Sequence, residues 1–269
     1  GGDELTGFHW TEQALSEAIE MAHQSGSRLV IGLPRINREG QRQQWEPYLQ
    51  MVSKLPSDGI ILSDLGTLQL ALEETTQPIF LNYTFNFFNS YGLKTLQNPH
   101  IRQYTLSPEL TLEQIKEISR IGPEARLECL VQGPLELMIS EYCPLHSLLE
   151  AGKQCGGLCR QNQYFLRDRL QLDFPIYTDQ FCRLHLLNTK DLCLYGDLNR
   201  VSPVGNLVYR LELKTATANQ VGFMVQEYHR ALSAINKDQQ LENDDFVIKE
   251  FKALTGRDIT KGHYFRGVE

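Results

Sequence analysis

Four cysteines, Cys143, Cys155, Cys159 and Cys182, fall within forty residues in the spacing C-x11-C-x3-C-x22-C. Four thiolates suit either a zinc ion or an iron–sulfur cluster, since both are commonly held by four sulfur donors. Structural zinc sites more often show paired knuckles of two to four intervening residues, and only Cys155 and Cys159 approach that. The C-x3-C-x2-C of radical SAM enzymes is absent. Spacing alone leaves cluster, zinc and free thiols open. Gly152, Gly156 and Gly157 give the chain freedom to bend around a compact object. Cys129 and Cys193 differ: they lie in the apolar runs Leu127-Glu-Cys-Leu-Val131 and Asp191-Leu-Cys-Leu194 and read as small core hydrophobes.

A second set of residues follows apolar segments. Asp64, Asn82, Asn86, Asn89 and Glu212 occupy or follow such ends, where a parallel α/β protein gathers its chemistry. Carboxamides at one mouth would orient a polar substrate, although Asn and Asp also cap helices and make turns. Glu212, with Lys214 as a possible surface partner, stands on an otherwise apolar strand. Arg35 follows a strand and a Pro, while Arg160, Arg167, Arg169 and Arg183 surround the cysteines. There a guanidinium would neutralise a cluster or grip a carboxylate or phosphate, or simply lie in a solvated basic loop. Tyr83, Phe85, Phe87, Phe88 and Tyr91 would stack a base or form core. Neither a His-Glu-x-x-His nor a Gly-x-Ser-x-Gly motif is present, and of seven scattered His only His146 and His185 flank cysteines. No catalytic residue is identifiable on these grounds.

The positioning elements repeat as helix then strand. Thr11 to Gln24 reads as an amphipathic helix capped by Thr11, followed by a strand over 28–34. Helices over 45–55 and 68–74 then precede strands over 59–64 and 78–83; a strand over 101–106, a helix over 112–121 and a strand over 125–131 follow. Strands apolar throughout, alternating with helices every 20 to 30 residues, imply a parallel sheet, open or closed. From Ser140 to about Asp191 the rhythm breaks, which predicts an irregular insertion stabilised by a metal. The strand 209–213 and the helix 220–235 restore the pattern. Three parts follow: 1–139 with 203–236 as a partial (β/α) barrel, 140–202 as a cysteine-rich insertion, and 237–269 as an acidic linker and tail.

The composition, 41% hydrophobic and 22% charged over 269 residues, excludes a disordered chain. A net charge of −7 argues against nucleic-acid binding by phosphate neutralisation alone but permits a local basic groove. No apolar run nears the roughly 18 residues of a membrane span, and the first residues lack a signal-peptide pattern, so a soluble cytoplasmic protein is expected. The absent initiator Met and a first helix by about Thr11 suggest a start inside a longer polypeptide.

The chain resembles the U32 peptidase family. The likeness is carried by Gly59-Ile-Ile-Leu-Ser-Asp64, Asn82-Tyr-Thr-Phe-Asn86 with Asn89-Ser90, Leu106-Ser-Pro-Glu-Leu110, Glu141-Tyr-Cys-Pro144 and the Cys155 to Arg160 turn. It continues through Phe174-Pro-Ile with Asp179, the run from Leu187 to Leu192, Arg210-Leu-Glu-Leu-Lys214 and Tyr228-His-Arg230. The resemblance implies a TIM-like barrel, here short of its first strands, with a [4Fe-4S] cluster on Cys143, Cys155, Cys159 and Cys182. It also implies hydroxylation of an RNA base, in tRNA or rRNA, or of a related aromatic ring such as a quinone precursor. Proteolysis is claimed for some members. The expected partners are therefore an RNA or small aromatic ligand, and a remaining barrel segment or partner chain to cover the open edges. Asp64, Asn82, Asn86, Asn89, Arg183 and Glu212 are the substrate-contact candidates. A peptidase, and a non-catalytic module stapled by a metal, stand as alternatives.

Overall fold

The computed structural model describes residues 2–5, 10–121, 126–150, 154–204, 207–237, 239 and 244–267. Ala125, Gly152, His9 and most of the acidic stretch 238–245 lie outside them. Helix α1 (Glu12–Gln24) starts as its sequence dictates: the side chain of Thr11 accepts from the Ala14 amide, and Leu15 and Ile19, four apart, share the buried face. Strand β1 (Ile31–Gly32), helix α2 (Arg42–Lys54), β2 (Ile60–Leu62), α3 (Leu65–Glu74), β3 (Ile79–Leu81), α4 (Ser90–Thr95), β4 (Ile101–Thr105), α5 (Leu112–Ile121) and β5 (Arg126–Ser140) follow. Strands β1 to β5 pair in parallel in chain order. Ile60, Leu62, Ile79 and Leu81 are inaccessible to solvent, held between sheet and helices as fully covered parallel strands must be.

Beyond β5 come α6 (Pro144–Leu149), β6 (Tyr164–Arg167), β7 (Asp173–Thr178), β8 (Leu184–Cys193), α7 (Leu198–Val201), β9 (Leu207–Leu211), α8 (Ala218–Ile235), α9 (Asp244–Thr255) and β10 (Asp258–Thr260). The sheet runs β1-β2-β3-β4-β5-β8-β7-β6, with β9 on β5 and β10 on β8. This α/β sheet curls into a half-barrel. Its parallel part ends with β9 against β5, whose far half turns outward to pair antiparallel with β8. Gly133 makes the bend: its φ is +111°, and a Cβ there would collide with the backbone carbonyl of Glu212. On the opposite side β1 pairs with β2 and, among the described strands, with no other.

Three expectations change. The stretch 140–191 is irregular only to residue 163; after that β6, β7 and β8 form an antiparallel extension of the same sheet. Strand β6 is exposed on both faces, and the buried residues of β7 and β8 fall side by side rather than in alternation, so no regular buried period marked the extension. The tail 237–269 carries α9, which buries Val247 and Phe251, and β10, which joins the sheet in parallel with β8. The first predicted strand shortens to two residues. No helix among the described residues is long and apolar enough to cross a membrane.

Candidate functional site

Residues following the parallel strands meet at one end of the half-barrel. The Asn82 amide, after β3, donates to Ser63 Oγ after β2 (3.1 Å), and Arg210 Nη1 on β9 donates to Asn82 Oδ1 (3.0 Å). Arg210 Nη2 also donates to Glu212 Oε2 (2.8 Å), while Nη1 lies 3.5 Å from Glu128 Oε1. Glu128 in turn accepts from Thr105 Oγ1 (2.7 Å) and Gln103 Nε2 (2.6 Å). Burial pushes the Glu212 carboxyl up, but the nearby Lys214 and Arg210 outweigh it and hold the group below its ordinary range. The mouth therefore holds an ionised Glu212 against a fixed guanidinium, with Glu128 on the guanidinium's other nitrogen. Asn82 and Glu212 belong to it. Arg210 escaped the sequence reading, although alternation along Arg210-Leu-Glu-Leu-Lys214 places three charged residues on one face of a half-buried segment.

The other mouth candidates hold local structure. Asp64 caps α3 by accepting from the Thr67 amide (2.9 Å), and its second oxygen accepts from Asn37 Nδ2 (2.9 Å) and Thr67 Oγ1 (2.8 Å). Asn89 caps α4 through the Gly92 amide, and Asn86 takes a left-handed turn conformation with φ of 54°. The three carboxamides thus do not act as one group. Arg183 is buried and fully engaged: it donates to Glu141 (2.7 Å), Gln41 (2.6 Å) and the Ile36 carbonyl (2.9 Å), with its guanidinium over the Phe181 ring. Among the aromatics, Phe87 packs against Phe85 and Tyr104 in the core, whereas Phe88 and Tyr91 are exposed.

The cysteines come from two segments. Cys143 precedes α6, Cys155 follows it, Cys159 sits in a 3-10 turn at Leu158–Arg160, and Cys182 occupies a left-handed position (φ 60°) in the turn joining β7 to β8. The Cys182 thiol is pushed up by partial burial and by the nearby Cys155, Cys159 and Cys143 thiols, with Arg160 acting oppositely, so all four sit in one electrostatic neighbourhood. Gly157 has φ +71°, and the Gly156 amide donates to the Glu150 carboxylate (2.8 Å), tying the loop between Cys155 and Cys159 back to the end of α6. By contrast Cys129 and Cys193 are buried, their thiols pushed up by burial to about 12 and about 11. A cleft of about 860 Å³ opens beside the group, its wall formed by Cys159, Arg160, Trp45, Tyr48, Tyr177 and Phe181 among others.

Among the described residues, two groups of donor atoms are compact enough for a single ion, within 4.8 Å of one another: His146–Glu150–Cys155 and Asp3–Asp179–His185. The four cysteines are not one of them. Tetrahedral zinc with Zn–S near 2.3 Å would require sulfurs about 3.8 Å apart.

A curled α/β sheet with a cysteine-bearing extension at its mouth is the class of molecule these features define. The chain belongs to peptidase family U32, whose model matches residues 7–269. It is 26% identical over 268 residues to an uncharacterized protease of Methanocaldococcus jannaschii, covering 97% of this chain and 64% of that protein. It is 22% identical over 269 residues to tRNA hydroxylation protein P of Helicobacter pylori, covering 97% and 63%. The same-named protein of Escherichia coli is 26% identical over 151 residues, 56% of this chain and 33% of that one. The chain thus spans less than two thirds of the length of these relatives. A solved U32 peptidase structure superposes with a TM-score of 0.44 at 13% identity, over 78% of this chain and 79% of that one. At that distance the architecture rests on this chain's own strand pairing.

Proposed function

We propose that this chain is the cluster-bearing part of an iron–sulfur enzyme that hydroxylates an RNA base, in tRNA or rRNA, or a related aromatic ring. The observation that carries the reading is the gathering of Cys143, Cys155, Cys159 and Cys182 at the edge of a large cleft with aromatic walls. The donor set fits a [4Fe-4S] cluster, which takes four thiolates. The thiols are also spread more widely than a mononuclear tetrahedral ion requires. When bound, the cluster supplies one-electron transfer; ring hydroxylation, a two-electron oxidation, further needs an oxygen donor as co-substrate.

The chain's own residues do the binding and shielding. Trp45, Tyr48, Tyr177 and Phe181 offer π faces to a flat ring, each stack being worth roughly 1–3 kcal/mol. Arg160 places a cation where anionic cluster and phosphate charge would both fall. The Asn82–Arg210–Glu212 network offers rigid carboxamide and carboxylate groups at the barrel mouth. A TIM-like barrel completed by further strands would cover the open edge at β1. The relatives named as tRNA hydroxylation proteins support this substrate class, and the relative named as a protease supports the alternative, peptide hydrolysis.

Iron and acid-labile sulfide analysis of anaerobically purified protein tests the reading. About four of each per chain are expected for a cubane. One zinc without sulfide would overturn it and leave the metal as a structural staple.

A further inference from the structure

The turn from β7 to β8 builds a second donor group. Asp179 Oδ1 accepts from the amides of Phe181 (2.9 Å) and Arg183 (2.8 Å), which closes the turn and leaves Oδ2 buried with no hydrogen-bond partner. His185, wholly buried on β8, has its Nδ1 2.6 Å from Glu136 Oε2 on β5. The other Glu136 oxygen is engaged by the Arg35 guanidinium, so the Nδ1 edge of the imidazole is committed to a carboxylate. Nε2 faces Asp179 Oδ2 at 3.5 Å and likewise has no hydrogen-bond partner. Asp3 brings a third acceptor, all three donor atoms lying within 4.8 Å of one another.

Its placement is built rather than accidental. The Gln180 side chain donates to the Gly2 carbonyl (2.8 Å) and accepts from the Glu4 amide (3.0 Å), strapping the residues on either side of Asp3 to the turn. The Arg35 amide donates to Asp3 Oδ1 (3.0 Å). Of the guanidinium groups nearby, Arg35 is spent on Glu136, and Arg183, 3.9 Å from Asp179 Oδ2, is bonded to Glu141, Gln41 and Ile36.

We propose that Asp3, Asp179 and His185 bind a divalent first-row cation of the Mn²⁺ or Fe²⁺ kind, at a site separate from the cysteines. The three donors converge from two chain segments in a buried space, and although Lys214 lends Asp3 some positive charge, the Asp179 oxygen and the imidazole nitrogen are left to face each other without a bonded cation. A proton on Nε2 would satisfy one carboxylate and leave the other. The Nδ1–carboxylate contact is the arrangement that orients a metal-ligating imidazole and raises its basicity. One imidazole with two carboxylates is a donor set for borderline to hard cations, unlike four thiolates. Asp179 also lines the large cleft, which gives an ion a route in.

Mn²⁺ is the probe, because thiolate sites select softer ions. Titrated into the anaerobically purified protein and followed by the free-ion EPR sextet, one Mn²⁺ per chain is expected to bind. Asp3→Asn and His185→Gln should each weaken uptake at least tenfold. Asp3→Asn removes charge without volume ahead of the first helix, so it decides the matter should the His185 variant fail to fold. No stoichiometric uptake by the wild-type protein, or uptake unchanged in Asp3→Asn, would overturn the proposal. Neither outcome depends on cluster content, so this site and the iron–sulfur reading fail separately.

Discussion

The parallel half-barrel and the cysteine-bearing extension are held by opposite means. From α1 to β5 each strand and helix contributes residues to one core, with Leu49, Val52, Ile60, Leu62, Ala71, Ile79, Leu81 and Leu93 inaccessible to solvent. From Leu135 to Phe174, no described residue is buried as a whole, and Leu137, Leu148, Leu149, Phe165 and Leu170 stand exposed. The first region is stable through apolar burial; the second, with backbone ladders and almost no core, draws little stability from burial. The contrast locates where the loss of a group held by the cysteines would act: on the extension.

The largest expected effect follows. Removal of the bound group, or Cys155→Ser with Cys159→Ser, should open residues 141–172 to proteolysis at least tenfold faster, with amide exchange in β2 and β3 unchanged. Equal protection of both regions would erase the distinction. Next in size, Leu81→Ala in the core should cost about 2–5 kcal/mol in denaturant unfolding, while Leu148→Ala in the extension stays within about 0.5 kcal/mol. Gly133→Ala joins the two regions. Left-handed strain alone should cost about 1–3 kcal/mol, and the collision with the Glu212 carbonyl adds to it, read as a lowered urea midpoint.

How far the sequence disclosed all this tracks the same contrast. The half-barrel was legible because burial on both faces writes long apolar strands and i, i+4 helix faces, as in Leu15 and Ile19 of α1. The antiparallel strands β6, β7 and β8 were not, since Tyr164–Arg167 is exposed on both faces and the buried residues of β7 and β8 do not alternate. At the site, cysteine spacing pointed to a metal centre without choosing the metal. Capping chemistry accounts for Asp64 and Asn89 where substrate binding was considered. Arg210, Asp179 and His185 matter through partners far away in sequence, which no local pattern encodes.

The mouth network sharpens the comparison through pH. Glu212→Gln should destabilise the protein at pH 7 by roughly 1.5–3 kcal/mol, the range for hydrogen bonds to charged groups. The Glu212 pKa is lowered on folding, so its contribution is full above the unfolded value, near 4.3, and is lost as pH falls through the lower folded value. The gap between wild type and variant should therefore close in acid, as measured by urea unfolding from pH 7 to pH 3; a constant gap would show that shape, not charge, is at work.

The smallest effect needs only a thiol reagent. In the native, group-free protein at pH 7.5, Cys155 and Cys182 are exposed and should label within minutes, whereas Cys129 and Cys193 should label only with unfolding. Burial pushes the latter thiols to about 12 and about 11 and shields them, so they react only when an opening exposes them. Early labelling of Cys193 would mean that β8 breathes with the extension rather than with the core. The boundary between the two regions would then move from Gly133 to the far end of β8, and the stability of the half-barrel would itself depend on what the cysteines hold.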